Sequence, residues 1–464
     1  MKTSIVSNKD LSVRPLRLDC GPYVNDSFLM KKALRKSSLV LEQLQNVTLD
    51  ALQGIFKAPR LSPKYVIDKK VGTPYLSSSE ILEKNYLDVK AISVEQANLN
   101  NKFKVRHGMT LITSSGTIGR TNFASQEIDS WMGSPHFMRV MPDARKIPAG
   151  YLYAFLSSRY GNAQIKEGIY GSIIVAIEPE HIASILIPRI GTIEKTIDTL
   201  ILDASRARQE ANMLLKEAVF LYEKEHGLKE LERLQSGYSY SISETSSLAI
   251  QRRFDARFHN KFHQEVVKEL EESCSEIRLA EFSSRIFEPN RFKRIQADSG
   301  IKLYGTTAIF QNTPDHNCYI SQSIKNVEQY IVSGNMLLVP RSGQLNGIIG
   351  NVEICTGALL GHAVSEDAIR IECDSEDKAA YAYVALSSEY SRRQLKSRAF
   401  GTSIPHLDVR NIGDVLILFN DNAKFKKVSD YGKKISELRN RAFDLEMKAI
   451  SMVEELIEAS VSGS

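Results

Sequence analysis

The chain has 464 residues, 42% of them hydrophobic and 25% charged, a balance that excludes a disordered polyelectrolyte and leaves room for two or three domains. Its formal net charge of +5 suits a nucleic-acid partner without requiring one. Five cysteines, Cys20, Cys274, Cys318, Cys355 and Cys373, are scattered and never spaced Cys-x-x-Cys, which argues against a disulfide framework or a cysteine zinc site and for a reducing, cytoplasmic compartment. No run approaches the roughly 20 apolar residues of a membrane helix and no signal-peptide segment opens the chain, so no membrane partner is expected.

In chain order, Arg17-Leu-Asp19 precedes an amphipathic helical stretch from Phe28 to Leu44. A strand at Ile55-Phe56 is followed by the basic residues Arg60 and Lys64, then by Gly72-Thr-Pro-Tyr-Leu. Lys102, Lys104 and Arg106 precede Gly108-Met-Thr-Leu-Ile, a short apolar strand. Ser114 and Ser115-Gly-Thr-Ile-Gly119 supply a tight turn, Arg120 follows, and the grammar is that of a β-hairpin. Arg139 sits in an alternating run, Tyr151-Leu-Tyr and Leu156-Ser-Ser read as helices, Gly171-Ser-Ile-Ile follows, and Ile182 to Pro188 reads as a closing strand. From Ile193 to Gly227 the spacing predicts one long helix whose apolar stripe is Ile197, Ile201, Ala204, Ala211, Leu215, Ala218 and Tyr222, interrupted by Arg208.

Past a serine-rich linker between Gln235 and Ser247 the same order returns. Arg253-Phe-Asp255 precedes a helix from Phe262 to Glu272, and Ile286-Phe287 precedes Arg291, Lys293 and Arg294. Gly334-Asn-Met-Leu-Leu, Arg341, Ser342-Gly343 and Gln344 repeat the hairpin, and Arg370 falls against Arg139. Tyr381-Ala-Tyr, Leu386-Ser-Ser and Gly401-Thr-Ser-Ile answer their first-half counterparts, with Lys396 and Arg398 between them. A strand from Ile412 to Phe419 feeds a second long helix with heptads at Val428, Tyr431, Ile435, Leu438, Ala442, Leu445, Ala449, Met452 and Leu456, the seam of a coiled coil whose obvious mate is the first helix. The fold class is α/β (α+β), divided into a domain at 1–190, a helix at 191–235, a second domain at 236–420 and a C-terminal helix at 421–464.

Catalytic motifs do not accompany this organisation. There is no G-x-G-x-x-G, P-loop or G-x-S-x-G sequence. His259 and His263 share a helical face at zinc spacing, but Asn260 stands where a zinc peptidase needs glutamate. Glu376-Asp-Lys378 and Glu446-Met-Lys448 are the tripeptides available to a nuclease, and an amino-methyltransferase motif is absent. Basic and polar residues instead gather at corresponding places: Arg60, Lys64, Lys102, Lys104, Ser114, Ser115 and Arg120 in the first half, and Arg291, Lys293, Arg294, Arg341, Ser342, Gln344, Lys396 and Arg398 in the second. Two DNA faces are the expectation, with lysine and arginine on phosphates and a subset of side chains on base edges.

Taken in order, the Ser-Gly-x-Ile-Gly hairpin, the Tyr-Leu-Tyr helix, the Gly-Ser-Ile-Ile segment, the Ile-Leu-Ile-Pro strand and the long helix make the chain resemble the specificity subunit of Type I restriction-modification enzymes. The resemblance covers both halves, and Arg17-Leu-Asp19 and Arg253-Phe-Asp255 look like the segments that open its target-recognition domains. It implies that each half reads one part of a split, asymmetric double-stranded DNA target, and that the two helices pair as an antiparallel coiled coil. It implies no catalysis and no cofactor in this chain. Two methyltransferase subunits that bind S-adenosylmethionine and methylate adenine are the implied partners, joined in restricting complexes by two translocase-nuclease subunits using ATP and magnesium. Ser115 stands where the second half has Arg341-Ser-Gly, a departure that leaves base contacts of the first half harder to place. A methylation-only or other anti-phage defence complex, or a coiled-coil scaffold that reads no DNA, would carry the same pattern.

Overall fold

The computed structural model describes residues 26–66, 71–99, 101–115, 117–167, 177–229, 231, 242, 244–273, 275–420 and 423–462. Arg17-Leu-Asp19, Gly116, the Gly171 segment, most of the linker, Cys20 and Cys274 lie outside them. The chain divides into two compact units, one of residues 1–209 with 444–464 and one of residues 210–443. The helices are therefore not separate modules, because each unit takes part of both.

In the first unit α1 (Asp26–Lys36) stops at Ser37, whose hydroxyl bonds the Leu34 carbonyl at 2.6 Å. The expected helix to Leu44 is broken there, because β1 (Val40–Gln43) pairs antiparallel with the closing strand. Then come β2 (Ile55–Lys57), β3 (Tyr65–Val66), β4 (Gly72–Leu76), β5 (Ala91–Ser93), β6 (Thr110–Thr113), β7 (Thr121–Phe123), β8 (Met132–Gly133) and β9 (Phe137–Val140). Helices α2 (Ala149–Ser157) and α3 (Arg159–Glu167), β10 (Leu186–Arg189) and the long α4 (Ile193–Glu225) complete the series. These strands form sheets of order β1-β10, β2-β9-β6-β7 and β3-β5-β4-β8. Strands β6 and β9 are buried along their whole length, the polar side chains of Thr110, Thr113 and Arg139 included. Gly119 closes the β6–β7 turn with φ of +83°, a left-handed conformation that glycine adopts without steric cost.

The second unit repeats this. After α5 (Lys261–Glu271) come β11 (Glu276–Arg278), β12 (Arg285–Phe287), β13 (Gln296–Ala297), β14 (Ile301–Tyr304), β15 (His316–Ile320), β16 (Met336–Pro340), β17 (Glu353–Ile354), β18 (Ala363–Val364) and β19 (Ala368–Glu372). Then follow α6 (Glu376–Ser387), α7 (Glu389–Arg398), β20 (Leu416–Leu418) and α8 (Ala423–Ser462). The sheet orders β11-β20, β12-β19-β16-β17 and β13-β15-β14-β18 reproduce the first unit strand for strand.

The duplication extends to individual hydrogen bonds. Gln164 Nε2 donates to the Leu186 carbonyl at 3.0 Å while its Oε1 accepts from the Leu186 amide at 3.0 Å; Gln394 makes the same pair with Leu416 at 2.9 and 2.8 Å. Each amide group thus acts as an extra strand residue beside the closing strand. Tyr151 donates to the Pro188 carbonyl as Tyr381 does to that of Leu418. The second serine of each Leu-Ser-Ser accepts a backbone amide of the next helix, Gly161 on Ser158 and Ser391 on Ser388, both at 3.3 Å, an N-cap contact that separates two short helices.

Arg139 and Arg370 are the largest duplicated buried side chains, both 0% exposed. Arg139 lies on β9, and its two terminal nitrogens donate to the carbonyls of Phe103, Gly133, Ser134 and Phe137. Arg370 on β19 donates to those of Tyr330, Val364, Ser365 and Ala368. Each guanidinium therefore joins the two four-stranded sheets of its unit. Burial pulls Arg139 down to about 9 and Arg370 to about 10, which leaves both charged at neutral pH.

Along the long helices Ile197, Ile201, Ala204, Ala211, Leu215, Ala218, Ile435, Leu438, Ala442 and Ala449 are buried. Strict heptads are not kept. Leu445 and Met452 are half-buried, while Glu446, Val453 and Ile457 are buried instead. From Val428 onward the buried stripe follows the 3.6-residue period of a straight helix, each part of α8 packing within its own unit, Ala449, Val453 and Ile457 in the first and Arg439 on Glu353 in the second. In the first unit Ile197, Ile201, Ala449, Val453 and Ile457 share one core with Tyr151, Phe155 and Ile187. Arg208 does meet a polar partner, forming a buried ion pair with Glu446 of α8. In the second unit Lys424 Nζ donates to the Glu225 carbonyl at 2.7 Å.

Candidate nucleic-acid interface

In each unit the early basic segment is anchored by one apolar residue to a small core beneath the β3-β5-β4-β8 sheet or its counterpart. In the first unit that core holds Ala58, Tyr75, Ile92, Ala97, Phe103 and Met132, with Leu61 packed on it. Arg60 and Lys64 are exposed to either side of Leu61, and Lys102 and Lys104 flank Phe103. Gln96 fixes the Lys64 backbone, accepting from its amide at 2.8 Å and donating to the Ser62 carbonyl at 2.8 Å. In the second unit Phe292 and Tyr330 stack with ring centroids 4.1 Å apart over Ile301, Leu303 and Ile320. Arg291, Lys293 and Arg294 are consequently held out to solvent around Phe292. One basic cluster per unit, at the same place in the fold, is the arrangement a phosphate backbone would meet.

The hairpin residues are less uniform. Ser115 and Arg120 are half-buried, whereas Ser114 is 5% exposed with its amide on the His136 carbonyl at 3.0 Å. In the second unit Ser342 is half-buried and Gln344 exposed. Arg341 is held between two carboxylates, Nε 2.9 Å from Glu288 and Nη1 3.4 Å from Asp367. Lys396 is half-buried, and a Cβ built on Gly350 would meet its stem at 2.8 Å; Gly119 faces Lys166 in the same way at 3.3 Å. Lys166 is therefore the first-half counterpart that sequence reading passed over, and the spacing of the repeat would have found it.

Arg398 is only 8% exposed, with Nη2 on the Asp414 carbonyl at 2.8 Å. It lines a cavity of about 840 Å3 with Arg253, Asp255, Phe258, Asp408 and Asn411, so it is a lining residue and not part of the outer basic surface. The Arg253-Phe-Asp255 segment is explained by the same place. Arg253 donates to the carbonyls of Arg398 at 2.7 Å and Ala399 at 3.1 Å, which caps the C-terminal end of α7 with the positive charge its dipole favours.

His263 is buried beneath this cap, its Nδ1 2.8 Å from the Ser397 hydroxyl. Burial, then the charges of Arg398 and Arg253, push its imidazole down to about 3. The unfolded chain would bind that proton below about 6.5 while the folded chain would not. Stability from this group is thus complete above about pH 6.5 and lost as pH falls toward 3. In thermal unfolding of the full chain between pH 7.5 and 4.5, His263→Gln is expected to flatten this acid limb; an unchanged limb would show that His263 does not contribute to it.

Among the described residues no group of three or more His, Cys, Asp or Glu side chains is placed to hold a metal ion, and no helix is long and apolar enough to cross a membrane. Among the described residues Cys318, Cys355 and Cys373 take part in no disulfide.

No family model matches the chain, and no curated protein matches it. Among solved structures it is similar to the S subunit of a Type-I restriction-modification system from M. genitalium, at 14% identity over 92% of this chain and 95% of that one, with a TM-score of 0.31. A chain described under complex assembly and conformational transition of the type I R-M system is 12% identical over 91% and 96%, with a TM-score of 0.27. The HsdS subunit from Thermoanaerobacter tengcongensis is 12% identical over 91% and 95%, with a TM-score of 0.26.

Proposed function

We propose that this chain is a non-catalytic, sequence-specific DNA-recognition subunit of a Type I restriction-modification complex, each unit reading one half of a split target. The observation that carries this reading is the duplication. One chain holds the same three-sheet scaffold twice, each copy extends a basic cluster from the same small core, and each feeds a long helix of 33 or 40 residues. A palindrome-reading dimer would present identical surfaces twice; here the scaffold repeats while the contact residues differ, which predicts an asymmetric bipartite site. Candidate phosphate contacts are Arg60, Lys64, Lys102, Lys104, Arg291, Lys293 and Arg294. Ser115, Arg120, Arg341, Ser342, Gln344 and Lys396 stand at or against the hairpins as candidate base readers. The helices are read as an antiparallel coiled coil that sets the unread spacer and docks two methyltransferase subunits, which would supply S-adenosylmethionine chemistry. A 33-residue helix rises about 50 Å, longer than the roughly 34 Å of one DNA turn.

Genome-wide mapping of adenine methylation with this chain present and absent tests the proposal. A split, asymmetric motif that disappears with the chain is expected. A continuous or palindromic motif, or no change, would overturn it.

A further inference from the structure

The second unit's β13-β15-β14-β18 sheet places Ile301, Leu303 and Ile320 in the small core on one face, with Cys318 against it, and Tyr304 and Val364 in a second core on the other. Simple alternation along β15 would send His316, two residues before Cys318, to the same face as Cys318. It does not, because the register shifts between Leu303 and Tyr304: Leu303 is opposite Cys318 but Tyr304 is opposite His316, leaving Asn317 unmatched. This bulge turns the His316 ring onto the other face, 4.6 Å from the Tyr319 ring and 6.3 Å from that of Tyr304. Tyr304 in turn lies 6.2 Å from His362. Lys302 stands opposite Tyr319 in the register and makes no ion pair among the described residues. A β-bulge that re-aims a side chain is a device found beside functional sites.

The corresponding face of the first unit is built differently. In matching registers Pro74 is opposite Ala91 where Lys302 is opposite Tyr319, and Trp131 precedes β8 as His362 precedes β18. Trp131 is packed edge-on against Tyr86 at 5.3 Å and against a hydrophobic core. Two scaffolds that agree down to Gln164 and Gln394 thus part company on this face, where Pro74, Ala91 and Trp131 are replaced by an ammonium, a phenol and an imidazole, and the bulge adds the His316 ring. Packing does not require that chemistry. His362 Nδ1 is buried with no hydrogen-bond partner among the described residues. The basic run Arg291–Arg294 enters the sheet at its edge, since only Ile295 separates Arg294 from β13.

We propose, resting on the DNA-recognition reading above, that Lys302, His316, Tyr319 and His362 are specificity-determining residues that read base edges in the half-site bound by the second unit. Lys302 is the purine reader, directed at guanine O6 and N7. The imidazole nitrogens and the Tyr319 hydroxyl donate to or accept from the neighbouring pair, and the flanking Arg291–Arg294 run holds the phosphates.

Adenine methylation is mapped in cells carrying the wild-type chain, Lys302→Ala or His316→Ala, with thermal unfolding of each purified chain as the check on folding. Lys302→Ala is expected to relax one base pair of one half-site by about ten- to a hundredfold in discrimination, leaving the other half-site unchanged. His316→Ala is expected to act on the same half-site. A wild-type split motif that both folded variants still read unchanged, or that they methylate uniformly less at every site, overturns this assignment alone. Failure of the wild type to give a split motif overturns the functional reading beneath it.

Discussion

Glu446→Ala is expected to destabilise the first unit by about 3–5 kcal/mol, the cost of leaving a buried partner charge uncompensated. Glu446 is 1% exposed and takes the Arg208 ion pair and the Tyr153 hydroxyl together. Removing the carboxylate strands a guanidinium whose side chain is 13% exposed, beside a phenol that burial and the Glu446 carboxylate hold well above its ordinary range. The pair itself contributes little net stability, because desolvating two charges offsets most of their attraction. Arg208→Met combined with Glu446→Leu should therefore recover most of the loss. Denaturant unfolding gives the magnitude, and hydrogen exchange should localise it to the first unit. A single substitution as mild as the double one would show that water reaches the site. The second unit has its own version, with Arg439 of α8 paired to Glu353 of β17, so the acid comes from a strand there and from the other long helix here.

What the sequence made legible follows from what repeats in it. Short apolar runs, glycine turns and two long helical periods are local signals, and their recurrence in the same order specified a duplicated α+β scaffold. Partner choice is not local. Arg139, Arg398 and Arg439 carry the same side chain as Arg60, yet all three are buried and Arg60 is exposed; Arg398 was accordingly placed on the DNA surface and lies in a cavity lining. Heptad counting put Leu445 and Met452 in the seam because it assumes that a helix faces one mate, whereas each part of α8 also packs within the unit it belongs to. The bulge that turns His316 left no trace in residue type. The Lys302 face was missed for that reason.

Arg139→Met should cost the first unit more than about 3 kcal/mol, since four carbonyls lose a charged donor and each unsatisfied buried group costs roughly 1–3 kcal/mol. The acceptors are Gly133 at 2.8 Å, Phe103 at 3.0 Å, Phe137 at 3.3 Å and Ser134 at 3.4 Å. Arg139→Lys should not rescue it. One ammonium cannot span carbonyls that a planar fork reaches from two nitrogens, and lysine also loses the stacking of the guanidinium 4.3 Å from the Phe137 ring centroid. Arg370→Met should produce the same loss in the second unit, and unfolding followed by hydrogen exchange should assign each loss to its own unit. Rescue by lysine would mean that charge alone, and not the fork, joins the sheets. The effect reaches the proposed DNA surface by a short route: Phe103, whose carbonyl Arg139 holds, sits between Lys102 and Lys104, and Tyr330, whose carbonyl Arg370 holds, stacks on Phe292 between Arg291 and Lys293. Each buried arginine therefore positions basic residues it never touches, and its loss should weaken DNA binding by its own unit even at temperatures where the chain remains folded.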